Sequence, residues 1–423
     1  MILTKQSPVE RRQLANGLTV ITERRGLGPV VFSGIVYRVG SRDEQPGITG
    51  LSHLLEHLMF KGTQRFKKGD VAALVERNGG DLNAFTSEDV TMYYEVFSRD
   101  RWKLALEIEA ERMQNLRIDP DELEAERQVI LEERAMYLDI PQIELGEELV
   151  AATFRESPYR WPIIGWEADI QAITRDDLLR HYERFYSPGN AALVVVGDVD
   201  GEEVFTEAER YFGEIPNGPP IERRIPREPE LRSATRVELR RPGNLAHFQV
   251  IVRAPEIRTR DSEALALLAN LLSGTRTSRL DLALLETGKA SDIQVHFQPK
   301  SDPSSFGVGV EVQPGTGIAE IEELVWGELN ALVEGPIHDE EMERALNQLE
   351  AGQLFSMQSP SNRGFLLGWN EAMGDLSYAD AVVDNLKSLT KEELQATAAR
   401  TFLREKSGSG ILIPQSMQSA EEA

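Results

Sequence analysis

The chain has 423 residues, 41 % apolar and 27 % charged, the balance of a globular protein with too much chain for one ordinary core. Its 70 acidic against 46 basic side chains give a formal charge of −24, which argues against nucleic acid or anionic membranes as partners and mildly favours basic ones, although such acidity most often serves solubility alone. No run approaches the roughly 18 apolar residues of a membrane span, and the absence of cysteine removes disulfides, thiol nucleophiles and thiolate metal sites, leaving His and carboxylate as the strong ligands.

The opening "MILTKQSPVERRQLANGLTV" has no basic start followed by an apolar block and a small-residue cleavage site. No signal peptide is expected, so the expected compartment is the cytoplasm, with the periplasm left open. Apolar runs and alternation predict strands at 18–24 after the Asn16-Gly17 turn, at 30–40, at 92–98 and at 191–199. Helical patterns fall at 50–61, 68–80 and 99–113. Another begins near Asp119, where Asp-Pro-Asp-Glu is a good N-terminal signal. No glycine-rich phosphate loop follows a strand.

From Gly213 to Arg232 five prolines and little periodicity mark an extended linker. A similar alternation then returns: a strand at 246–255, a helix at 261–273, a helical stretch at 277–286, a strand at 304–314 and further helices. The second half therefore reads as a diverged copy of the first in element order. The expected fold class is α+β, with two related domains, each a mixed sheet flanked by helices, at 1–215 and 233–415. Between them lies a linker at 216–232, and an acidic tail at 416–423 closes the chain. "SGSG" at Ser407 reads as a turn or loop before the closing strand "ILIP".

One stretch does not fit an ordinary core. "GLSHLLEHLMFKGT", Gly50–Thr63, places His53 and His57 four residues apart on an expected helix, so both imidazoles leave one face and suit one tetrahedral Zn²⁺. Glu56 lies about 60° from His53 around the helix, where a general base reaches the open side of a metal without filling a ligand position. His-x-x-Glu-His is a zinc peptidase signature. Five residues are only modestly specific, and a hydrated helix face or a satisfied core pair is the competing account.

A third ligand must come from elsewhere. In "DELEAERQVILEERAM", Asp121–Met136, the residues Glu126, Val129, Ile130 and Glu133 share a stripe. Val129 and Ile130 are expected to face the interior and to carry both glutamates inward, while Glu132, about 120° from Glu126, faces water. Two buried glutamates need compensation, which a divalent cation or arginines at the core edge would supply.

Glu133 follows His57 by 76 positions within "ERQVILEE". Together with "NGLTV", "GSRDE", "HLMFKGT", "GGDLNAFTSED", "SPYRWPIIGWEADIQAIT" and "FYSPGNAALVVVGDVD", this resembles the pitrilysin-type (M16) zinc peptidases, the inverzincins, over nearly the whole chain. Within that family it is similar to the short two-domain chains related to mitochondrial processing peptidase.

The resemblance implies an enzyme, a zinc metalloendopeptidase with one Zn²⁺ per chain, held by His53, His57 and Glu133. It implies Glu56 as the residue that activates water and Glu126 as support for the site. It makes "GGDLNAFTSED" an exposed edge strand that pairs with substrate peptide, with Asn83, Ala84 and Phe85 beside the scissile bond. A polar loop leading into the next strand is the plainer account of those side chains. It also implies an enclosed chamber that selects unfolded peptides.

In one respect the chain departs from the family. Complete single-chain members carry an arginine and, seven residues on, a tyrosine that contact substrate and oxyanion. Here Glu286 and Ile293 stand in those places. The expected partner is therefore an M16-like subunit bearing the Arg/Tyr pair in a hetero-oligomer, with a homodimer as the alternative. A non-catalytic or partner-dependent structural subunit is the rival function. The other histidines (His181, His247, His296, His338) lack ligand-like spacing and are expected at surface or core positions. "LLSGTRTSRL" has no lysine and is no nucleotide loop; its Arg276 and Arg279 are expected near a helix start.

Overall fold

The computed structural model describes residues 8–26 and 28–415; the acidic tail expected at 416–423 lies outside them. The described strands are β1 (Glu10–Gln13), β2 (Thr19–Arg24), β3 (Val30–Tyr37), β4 (Asp81–Thr86), β5 (Thr91–Ser98), β6 (Ala191–Gly197), β7 (Thr235–Arg241), β8 (Ala246–Ala254), β9 (Ala290–Phe297), β10 (Ser304–Val312) and β11 (Ser407–Pro414). The first helices are α1 (Leu51–Leu58), α2 (Asp70–Arg77), α3 (Lys103–Asn115), α4 (Pro120–Leu138) and α5 (Pro141–Thr153). No described helix is long and apolar enough to cross a membrane.

Two compact units form. Of the described residues, the first takes those up to Arg134, Pro162–Arg224 and Leu354–Asp380; the second takes Ala135–Trp161, Ile225–Gln353 and those from Ala381. The first sheet has the order β1-β2-β6-β3-β5-β4 and the second β7-β11-β8-β10-β9. In each sheet one pair is parallel, β2 with β6 and β7 with β11, and all other pairs are antiparallel. The second order repeats β2-β6-β3-β5-β4 strand for strand, with the parallel pair in the same place, so the fold is α+β and internally duplicated.

β3 and β6 are near-continuous apolar runs because they are covered on both faces. Leu193 and Val195 enter the main core of the first unit, whereas Val194 and Val196 meet Leu367 and Ala379 on the other face. Leu367 belongs to the helix Pro360–Ala372, which comes from the far end of the sequence. A Cβ on Gly364 of that helix would lie 2.2 Å from the Phe32 ring, so glycine sets how closely helix and sheet approach. In the second unit α5 lies on β11 and β7.

Each unit thus takes a helix from beyond the boundaries expected at 215 and 233. The apolar face of a helix is satisfied by whichever sheet it reaches, and sequence order does not determine which.

Two expectations are corrected. "SGSG" is the first half of the buried strand β11 rather than a turn. A Cβ on Gly408 would lie 2.3 Å from Thr153 Oγ1 of α5 and one on Gly410 would lie 3.1 Å from Leu145, so the glycines there make room for a helix. On α4 the inward stripe is Leu123, Glu126, Ile130 and, half-buried, Glu133. Ile130 is 0 % exposed but Val129 is 45 % exposed, so Val129 faces out. Glu132 is exposed, as its phase requires. β7, "TRVELRR", escaped notice because its charged residues suit an edge strand and disguise the alternation.

Candidate metal centre

α1 forms where Leu51, Leu54, Leu55 and Leu58 recur at helical spacing and bury one stripe, leaving His53, Glu56 and His57 on the rest of the circumference. Its start is built for this position. Gly50 has φ 87°, and a Cβ there would lie 2.3 Å from the Ile164 carbonyl oxygen, so only glycine fits. The buried Glu44 carboxyl accepts the backbone N–H groups of Gly50 (2.8 Å) and Ser52 (2.7 Å), satisfying donors that the first turn leaves open. Burial pushes Glu44 up to about 8, against the pull of those two bonds.

α4 brings its glutamates to the same place. His53 Nε2 lies 4.0 Å and His57 Nε2 3.7 Å from Glu133 Oε2, and the two rings are 4.7 Å apart. The ligand atoms of these three residues all lie within 4.8 Å of one another, the one such grouping of His, Asp and Glu among the described residues. Tetrahedral zinc with bonds near 2.0–2.2 Å sets its donors about 3.3–3.6 Å apart, so donors that now lie within 4.8 Å of one another would draw together by about an ångström, a side-chain adjustment. The chemistry also fits. Burial, helped by neighbouring His57, lowers His53 to about 3, so the imidazole is neutral and keeps the lone pair a metal needs.

His57 Nδ1 lies 3.2 Å from Glu126 Oε2, and Lys61 Nζ is 2.5 Å from Glu126 Oε1. A carboxylate only accepts, so this bond puts the proton on Nδ1 and the lone pair on Nε2, the atom nearer Glu133. His53 has no such support: its Nδ1 is buried with no acceptor among the described residues. Glu56 is buried, and one of its oxygens accepts the Thr86 hydroxyl at 2.6 Å. Burial pushes its carboxyl above the usual range, while the Thr86 bond and His57 pull it back.

Thr86 ends β4, the edge strand of the first sheet, which pairs with β5 on one side only. Asn83 is exposed on it, and Ala84 and Phe85 are half-buried. The Ala84 N–H bonds to the Asn83 side chain at 2.8 Å, and Phe85 packs edge-on against Phe365. His53, His57, Glu133, Glu56 and Glu126 are therefore gathered in one place, tied to β4 through Thr86. Glu286 and Ile293 are in the second unit, after the helical turn Asp281–Leu285 and on β9.

Of the remaining histidines, His181 is buried 3.2 Å from Ser52 Oγ, and His296 and His338 are exposed. Sequence reasoning overlooked Glu44, Lys61 and Thr86. Lys61 alone had a readable signal, standing four residues after His57.

Residues 19–166 match the family model "Insulinase (Peptidase family M16)", and residues 172–349 match "Peptidase M16 inactive domain". The chain is 30 % identical over 408 residues to a zinc protease of Helicobacter pylori, covering 92 % of this chain and 91 % of that one. It is 29 % identical over 419 residues to an uncharacterized zinc protease of Mycobacterium leprae, covering 97 % and 93 %. A crystal structure of a protease from Helicobacter pylori superposes with a TM-score of 0.90 at 29 % identity, covering 96 % of this chain and all of that one. With its two matched domains, its duplicated sheets and a His, His, Glu cluster beside a sheet edge, the chain belongs to peptidase family M16.

Proposed function

We propose that the chain is a zinc-dependent endopeptidase that hydrolyses peptides or unfolded segments. The observation that carries this reading is the meeting of His53 and His57 with Glu133, 76 positions downstream, around one point beside the buried carboxyl of Glu56. His53 Nε2, His57 Nε2 and a Glu133 oxygen would hold the ion, one per chain. When bound, zinc supplies a Lewis acid and an acidified water.

The chain's own residues do the rest. Glu56 takes a proton from the attacking water and returns it to the leaving amine, and the upward push of burial suits a group that must do both near neutral pH. Thr86 holds one Glu56 oxygen and leaves the other for this exchange. A peptide adds to the open edge of β4 by main-chain hydrogen bonds beside Asn83, Ala84 and Phe85. The Ala84 N–H becomes available to it when the Asn83 side chain swings aside. A folded protein cannot lie along such an edge, and the chamber that the family resemblance implies would impose the same selection.

Glu286 and Ile293 offer nothing to the oxyanion, so a second M16-like subunit with an Arg/Tyr pair supplies those contacts, or a homodimer works without them. This gap also sustains a second reading, a structural subunit of such an assembly. Metal analysis separates the readings: about one zinc per wild-type chain is expected and none in His53→Ala, with cleavage of a quenched peptide measured alone and with added partner chains. A wild type without stoichiometric zinc defeats the enzyme reading.

A further inference from the structure

We propose that Lys61 is a positioning residue for the metal centre, acting through Glu126 on His57; this rests on the zinc reading above. Lys61 lies in the turn that follows α1, four residues after His57. Its ammonium lies 2.5 Å from Glu126 Oε1, while Glu126 Oε2 lies 3.2 Å from His57 Nδ1. Each carboxylate oxygen therefore has one partner, and a three-membered chain runs from ammonium to carboxylate to imidazole.

Glu126 is buried and Lys61 half-buried. A buried carboxylate without a nearby cation is costly and turns toward water when it can. Lys61 is the cation that holds it inward, where it fixes the His57 proton on Nδ1 and keeps Nε2 facing Glu133 Oε2 at 3.7 Å. The pairing matters more because His53 has no acceptor of its own on Nδ1. Orientation of the two imidazoles through an outer partner thus rests on Glu126, and the place of Glu126 rests on Lys61.

The test is zinc affinity, by chelator competition, in wild type, Lys61→Met, Lys61→Arg, Glu126→Gln and the double variant Lys61→Met/Glu126→Gln. Methionine keeps the stem and removes the charge; arginine keeps the charge. Lys61→Met is expected to bind zinc about 10–100-fold more weakly, the usual cost of losing an outer-shell partner, and Lys61→Arg to recover most of that loss. The double variant is expected to be little weaker than Glu126→Gln alone, because both changes break one chain. The visible absorption of the cobalt-substituted protein should change in Lys61→Met and not in Lys61→Arg. A merely structural lysine would give losses that multiply in full and no rescue by arginine.

Wild-type affinity in Lys61→Met, or full multiplication in the double variant, overturns the proposal while leaving the zinc reading intact. A wild type that binds no zinc removes both. Should Lys61→Met fail to fold, Lys61→Gln against Lys61→Arg makes the same comparison.

Discussion

Ile130 and Val129 are neighbours on α4 with similar side chains and opposite surroundings, and the difference can be weighed. Ile130 is 0 % exposed and lies between Glu126 and Glu133 on the inward stripe, whereas Val129 is 45 % exposed. Ile130→Ala removes buried carbon and leaves a cavity that a packed core closes only in part, at a cost of about 3 kcal/mol. Val129→Ala removes little from cover and gains helix propensity, so it should fall within about 0.5 kcal/mol of wild type, on either side. For a unit of roughly 200 residues, 1 kcal/mol moves Tm by about 2–4 °C, so Ile130→Ala should melt about 6–12 °C lower and Val129→Ala almost unchanged.

Scanning calorimetry in chelator reads this directly, since bound metal would add stability of its own. A Val129→Ala loss equal to that of Ile130→Ala would refute the reasoning. It would mean that α4 is rotated from the phase described, and then Glu126 and Glu133 could not both reach the face of α1 that carries the histidines.

Two other outcomes are expected. Glu56→Gln should keep stoichiometric zinc and lose at least about 100-fold in turnover of a quenched peptide, the usual order for a general base; near-normal turnover would remove Glu56 from the mechanism. Burial lowers His181 from its ordinary 6.5 to about 3, so between those values the unfolded chain holds a proton that the native chain lacks. Its contribution is whole above about pH 6.5 and is lost as pH falls toward 3, by up to about 1.4 kcal/mol per pH unit. His181→Asn should flatten the acid fall of urea midpoints across that window, and an unchanged slope would show that His181 does not titrate in this way.

Much of the site could be read before any coordinates because it is local. The spacing of His53, Glu56 and His57 determines where they stand on a single helix, and the leucines between them determine which stripe is buried. The duplicated order of strands and helices was legible for the same reason, since apolar periodicity is a property of short segments. Phase alone carried α4 only as far as two candidate glutamates. It erred at Val129 because at 100° per residue the edge of a stripe depends on what the helix meets, and Arg127 and Arg134 share the buried side.

What the tertiary structure alone decided is every relation between distant segments. Glu133 meets His53 and His57, Thr86 reaches Glu56 from a strand, and Lys61, in the turn after α1, pairs with Glu126 of α4. Four residues of low strand propensity at Ser407 become the inner half of β11 because α5 needs room above Gly408. The helix Pro360–Ala372 leaves its neighbours in sequence to cover β3 and β6. Local pattern says which face of an element must be buried; only the packed chain determines against what, because any apolar surface of suitable shape would satisfy the same pattern.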